Sequence, residues 1–130
     1  MFVDTSVVIA ILAGEEDAAE WSRRIGQAPI RTTSPLVVLE AAMRLSSILL
    51  VEPLVVETTI EAFLREAAIE VVPIEIGDAK LAIQAFSDYG KGRGHPAQLN
   101  LADCLSYASA RSRGMPLLYK GQDFSHTDLA

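Results

Sequence analysis

Residues 1–14 read MFVDTSVVIAILAG, and this stretch decides the fold. Met1–Asp4 reads as a very short buried strand with an acid at its carboxyl end. Thr5 or Ser6 can cap a helix over Val7–Leu12, because a hydroxyl there accepts from the free N–H groups of a helix start. Gly14 ends that helix. A strand feeding directly into an apolar helix opens an alternating α/β chain.

The alternation continues outward from there. Glu15–Gly26 carries an amphipathic pattern, with acids crowding its first turn and Arg23 and Arg24 in its last, as the helix dipole prefers. Ile30–Thr33 is a short strand, rich in β-branched residues. Ser34-Pro35 marks a helix start, a capping residue followed by proline at the first helical position, and the helix runs Pro35–Leu50. Glu52–Ala68 is another helix, with Pro53 near its beginning. Ile69–Ile74 is a strand interrupted by Pro73, and Gly77–Tyr89 is helical with Leu81, Ala82, Ala85 and Phe86 on one face. Gly90–Asn100 is a glycine-rich loop, Leu101–Arg113 a helix closed by Gly114, and Pro116–Tyr119 a strand. The tail KGQDFSHTDLA reads as a turn followed by an edge strand. Such alternation implies a mostly parallel sheet covered on both faces, whose sites form at the carboxyl ends of the strands.

Composition sets the outer bounds. A chain of 130 residues, half of them hydrophobic, with a mean hydropathy of +0.27, is expected to form one domain over residues 1–130. It buries roughly two-thirds of the surface its unfolded form exposes. This argues against disorder, a disulfide scaffold and a repeat array. The lone Cys104 fits a reducing compartment, and no secretory signal precedes the apolar run 5–13. That run is too short to span a membrane, which takes about 20 residues, so a cytoplasmic protein is expected. Seventeen acids against eleven bases give a formal charge of −6. On net charge alone, nucleic acid looks a poor partner.

The acids are informative by position. Asp4 closes the first strand, where it either caps the helix or serves as a ligand at the sheet edge. Glu40 lies among apolar neighbours in PLVVLEAAM, so it belongs either to a site or to an ion pair with Arg44 one turn on. Asp103 opens the helix after the glycine-rich loop, a position the dipole also favours. Asp123 and Asp128 come after the last strand, and either could form a turn. Carboxylates gathered without cationic partners repel one another, so such a cluster shares protons or binds a hard cation. Oxygen ligands without His or Cys favour Mg²⁺ or Mn²⁺. His95 and His126 read as surface residues. A Mg²⁺ carboxylate site usually handles phosphates. The residues placed to touch a phosphate are Lys91, Arg93 and His95 in the glycine-rich loop and Lys120 before Asp123; ordinary surface charge is the alternative. Trp21 and the apolar side of its helix read as core or as a docking groove.

These segments resemble the PIN-domain ribonucleases and, among them, the VapC-type toxins of toxin–antitoxin pairs. The likeness runs through Phe2-Val3-Asp4-Thr5-Ser6, the helix Pro35–Arg44 with Glu40, Tyr89-Gly90-Lys91-Gly92, Leu99–Cys104, and Leu117–Phe124 with Thr127-Asp128. It implies a three-layer α/β/α sandwich and a metal-dependent endoribonuclease site, with Asp4, Glu40, Asp103 and Asp123 as the acidic quartet holding Mg²⁺ or Mn²⁺. Thr5 or Ser6 would steady Asp4. Many members end in T-N-D-x-D-F; here Gly121 replaces the first acid, so the fourth carboxylate falls to Asp123 or Asp128, with Asp123 preferred. The resemblance further implies a homodimer neutralised by a small VapB-type antitoxin, which alone contacts operator DNA. Two rivals share some of these features: a receiver-like phosphoacceptor domain, which needs paired acids after its first strand, and a non-catalytic acidic module that docks a basic peptide.

Overall fold

The computed structural model describes residues 1–130. It contains six helices and a four-stranded parallel sheet in an α/β/α arrangement. In chain order these are β1 (Phe2–Val3), α1 (Thr5–Leu12), α2 (Ala18–Gln27), β2 (Thr32–Thr33), α3 (Pro35–Leu49), α4 (Pro53–Glu66), β3 (Glu70–Val71), α5 (Ile76–Tyr89), α6 (Leu101–Ser112) and β4 (Leu117–Leu118). The spatial order is β3-β2-β1-β4, and every pairing is parallel. Phe2 faces both Thr32 and Leu117, and Thr33 faces Val71. Each crossover carries a helix pair, as parallel neighbours require.

The strands are shorter than the sequence suggests, two residues each. A capping residue takes over at once after two of them. Asp4 caps α1, and Ser34 caps α3 with its Oγ accepting from the Val37 amide at 3.3 Å. Pro73 lacks the N–H that would extend β3. What the sheet lacks in length it gains from burial and side-chain ties. Phe2, Val3 and Leu118 are essentially fully buried, and the Thr33 hydroxyl donates to the Val3 carbonyl at 2.9 Å. One continuous core joins these residues to Val7, Ala41, Leu45, Ile60, Leu99, Ala108 and Phe124.

Four features differ from the sequence reading. α1 begins at Thr5: of the caps the sequence offers, Asp4 takes the role and the Thr5 and Ser6 hydroxyls do not. α2 begins at Ala18, since the side chains of Glu15 and Asp17 reach across to Lys120 instead of sitting in a first turn. The expected edge strand in the tail is absent. Residues 121–129 form successive turns, with Ser125 N–H bonded to Gln122 O and Thr127 N–H to Phe124 O. Finally, Phe86 is about half exposed, although Ala82 and Ala85 beside it are buried.

Candidate active site

β1 and β4 lie side by side, so the segments that leave their carboxyl ends meet at one edge of the sheet. Asp4 leaves β1 in extended conformation and caps α1. Its Oδ2 accepts from the Ser6 amide at 3.0 Å and from the Ser6 hydroxyl at 2.7 Å, and the residue is only 6% exposed. Asp103 sits in the first turn of α6 inside a reciprocal capping box. The Asn100 side chain accepts from the Asp103 amide at 2.9 Å, and Asp103 Oδ2 accepts from the Asn100 amide at 3.0 Å. Each of these two carboxylates spends Oδ2 on the fold and leaves Oδ1 without a hydrogen bond.

The remaining members carry no such duty. Glu40 lies half-buried on α3, and Asp123 is exposed on the loop after β4. Neither makes a side-chain hydrogen bond or an ion pair, and Arg44 does not pair with Glu40. The apolar surroundings that make Glu40 look buried in the sequence are only partly internal. α3 buries Val37, Ala41 and Leu45 but leaves Leu39 and Met43 more than half exposed.

The four acids nevertheless share one electrostatic neighbourhood. The Asp103 carboxyl is pushed up from 3.8 to about 7. Burial is the main cause; the Asn100 hydrogen bond opposes it, and the charges of Asp123, Asp4 and Glu40 raise it further. No lysine or arginine forms an ion pair with any of the four. No three acidic, imidazole or thiol side chains are drawn together as a closed metal cage. The donor chemistry fits a hard cation: oxygen atoms only, two of them unbonded on otherwise anchored carboxylates, and uncompensated negative charge. The starts of α1 and α6 add the partial positive charge of their free amides, which suits a phosphate.

The other sequence candidates divide. Ser6 contacts Asp4 directly, whereas the buried Thr5 hydroxyl makes no hydrogen bond. Lys91 and Arg93 are exposed, Arg93 over the Phe86 ring at 5.8 Å and Lys91 on the rim of an apolar cleft of about 470 Å³ between α5 and α6. Lys120, a third exposed, has its ammonium paired with Glu15 and Asp17, both at 2.9 Å. Asp128 is held away from the acids. It accepts from the Tyr107 hydroxyl at 2.6 Å and pairs with Arg111 at 3.4 Å, and it is not among the charges acting on Asp103. Trp21 packs against the core, with the Arg24 guanidinium over its ring. Sequence reasoning missed Asn100 as the partner of Asp103; the N-x-x-D spacing of a capping box is the signal that points to it.

The fold is an α/β domain in which Asp4, Glu40 and Asp123 act on the buried Asp103 beside a parallel sheet. A family model described as PIN domain matches residues 1–129, and the chain belongs to that family. Among curated relatives, ribonuclease VapC28 of Mycobacterium tuberculosis is 43% identical over 127 residues, 98% of this chain and 93% of that protein. VapC ribonuclease Mb2780c of Mycobacterium bovis is 40% identical over 131 residues, 99% of this chain and 96% of that protein. Among solved structures, Mycobacterium tuberculosis VapC20, described as a sarcin-ricin loop cleaving toxin, has a TM-score of 0.71 at 23% identity, covering 95% of this chain and 92% of that one. A toxin–antitoxin complex from Klebsiella pneumoniae gives a TM-score of 0.69 at 17% identity, covering 98% of this chain and 92% of that one. Both share the fold. No helix is long and apolar enough to cross a membrane.

Proposed function

We propose that this protein is a Mg²⁺- or Mn²⁺-dependent endoribonuclease and the toxin of a VapB/VapC-type pair. The observation that carries this reading is Asp103: a buried carboxyl, pushed up to about 7, with three further acids acting on it and no cation paired to it. The curated relatives at 40–43% identity named as VapC ribonucleases support the activity class.

Asp4, Asp103 and Asp123 would hold the cation, and Glu40 completes the set or orients the attacking water. When bound, Mg²⁺ or Mn²⁺ supplies Lewis acidity, lowering the pKa of a water and neutralising charge on the leaving oxygen. Ser6 fixes Asp4 through two hydrogen bonds, so Oδ1 keeps one direction. Asn100 does the same for Asp103. The amides at the starts of α1 and α6 favour the phosphodiester at this edge. Lys91 and Arg93 are the exposed cations available to flanking phosphates.

The partners are implied by the same charge. A small antitoxin with a basic segment would neutralise the acidic site and connect the pair to operator DNA, with the toxin itself a cytoplasmic homodimer. RNA binding then rests on local cations and metal, not on the overall field of a protein with net charge −6. The test is cleavage of a structured RNA pool by antitoxin-free protein. Cleavage should need Mg²⁺ or Mn²⁺, stop with EDTA and fall on the order of a thousandfold in Asp4→Asn. Cleavage that survives EDTA, or that Asp4→Asn leaves undiminished, overturns the mechanism.

A further inference from the structure

Asp123 inherits its position, because it bonds to nothing itself. The loop that carries it is fixed at both ends. Behind it, Phe124 is fully buried and meets the Tyr119 ring edge-on at 5.1 Å. Ahead of it, Gly121 turns the chain at a φ of 100°, a conformation open to glycine, and Lys120 stands just before that turn.

Lys120 makes two kinds of tie. Its amide donates to Ser6 Oγ at 2.9 Å, and the Ser6 hydroxyl donates on to Asp4 Oδ2 at 2.7 Å. A hydroxyl has one proton to give, so this chain of bonds runs one way, from the loop to Asp4. Its ammonium donates to Glu15 Oε1 and Asp17 Oδ1, both at 2.9 Å, on the connection between α1 and α2. Those partners lie 105 and 103 residues away in the chain. Glu16 lines the same surface. One ammonium facing two bonded carboxylates and a third nearby is a poor landing place for a phosphate, which would have to displace an acid and then face the others.

We propose that Lys120 is a positioning residue, a clasp that fastens the Asp123 loop to the α1–α2 connection and, through its own amide and Ser6, to Asp4. This rests on the nuclease reading for its consequence, the metal site, and not for its geometry. Exposed ion pairs contribute little to global stability, so the clasp acts on where two carboxylates stand and not on whether the chain folds. Losing it loosens the cation site and slows the chemical step, while RNA affinity stays close to that of the wild type.

The experiment compares Lys120→Met, Glu15→Gln/Asp17→Asn, the triple variant and Lys120→Arg. Mn²⁺ binding is read by calorimetry, cleavage by single-turnover kinetics that separate rate from RNA affinity, and loop order by hydrogen exchange of the bonded Lys120, Ser125 and Thr127 amides. The two clasp-breaking variants should each weaken Mn²⁺ binding about tenfold, the low end for groups that orient metal ligands. The triple variant should be no worse than Lys120→Met, Lys120→Arg should recover most of the affinity, and the Lys120, Ser125 and Thr127 amides should exchange faster in both clasp-breaking variants. The opposite pattern overturns the clasp and makes Lys120 a phosphate ligand: Lys120→Met weakens RNA affinity with Mn²⁺ binding intact, and Glu15→Gln/Asp17→Asn strengthens RNA affinity. Should the wild type bind no Mn²⁺ and cleave no RNA, the nuclease reading fails by itself. Hydrogen exchange still decides the clasp, since faster exchange supports it and unchanged exchange overturns it.

Discussion

The candidate site has two unlike halves. Asp4 and Asp103 are buried, each bonded at a helix start, and each gives one oxygen to the fold. Glu40 and Asp123 are more exposed and bonded to nothing. The first pair would exist as helix caps in a protein with no activity at all. The second pair has no structural reason to be acidic, so it carries the functional signal. A carboxylate that caps a helix is ambiguous alone; unpaired acids acting on the same buried carboxyl are what favours a site.

The sharpest way to break this division is Asp103→Asn. On the proposed metal mechanism cleavage should fall on the order of a thousandfold, since a bound cation would supply several kcal/mol. Asp4→Asn should match it. Thermal stability without metal should move the other way at Asp103. Its folded value of about 7 lies above the ordinary 3.8, so between those values the unfolded chain has released a proton that the folded protein still holds. Stability of the metal-free wild type therefore falls as pH rises from about 4 to about 7, and levels off above. Asp103→Asn should flatten that slope, and Mn²⁺ should reverse it in the wild type. A wild type whose melting temperature rises steadily over this window in EDTA would contradict the buried-acid account.

Glu40→Gln and Asp123→Asn test the other half. Each should lower cleavage by roughly ten- to a hundredfold, with stability within about 0.5 kcal/mol of wild type, because neither side chain has a partner to lose. A large drop in melting temperature for either would erase the distinction between the halves. Asn100→Ala then separates cap from site. It removes the bond to the Asp103 amide but keeps the backbone donor to Asp103 Oδ2, so about 1 kcal/mol of stability should be lost, by chemical denaturation, with cleavage reduced only modestly.

The same division explains what is legible in the sequence. Asp4 at a strand end, Ser34-Pro35 at a helix start and Gly114 at a helix end act locally, so their spacing reveals them. The two-residue strands are different: Thr32 and Thr33 become sheet because Met1 and Val3 carbonyls lie beside them, which only the folded chain arranges. Glu40 is readable as an acid out of place, but not as half-exposed, because α3 shows apolar residues on its open face as well as its buried one. The pairing of Lys120 is hidden by distance along the chain. A late lysine beside a candidate site acid reads as a phosphate contact, and nothing local in the sequence announces that Glu15 and Asp17 pair with it.

The smallest expected effect concerns the choice between Asp123 and Asp128, which spacing leaves open. Asp128 is tied to Tyr107 and Arg111, with the Tyr89 hydroxyl at 3.5 Å, and burial together with this contact holds the Tyr107 hydroxyl well above its usual range. These bonds fasten the terminal turns to α6 and leave the carboxylate facing tyrosines instead of Asp103. Asp128→Asn should therefore keep cleavage within about twofold, while Asp128→Ala should cost about 1 kcal/mol, the worth of an ordinary hydrogen bond, and Tyr107→Phe a similar amount. Asp128→Ala and Tyr107→Phe combined should cost little more than either alone, since they remove the same bond from opposite ends. A hundredfold loss of cleavage in Asp128→Asn, with Asp123→Asn near wild type, would exchange the two acids and move the fourth carboxylate of the site to the end of the chain.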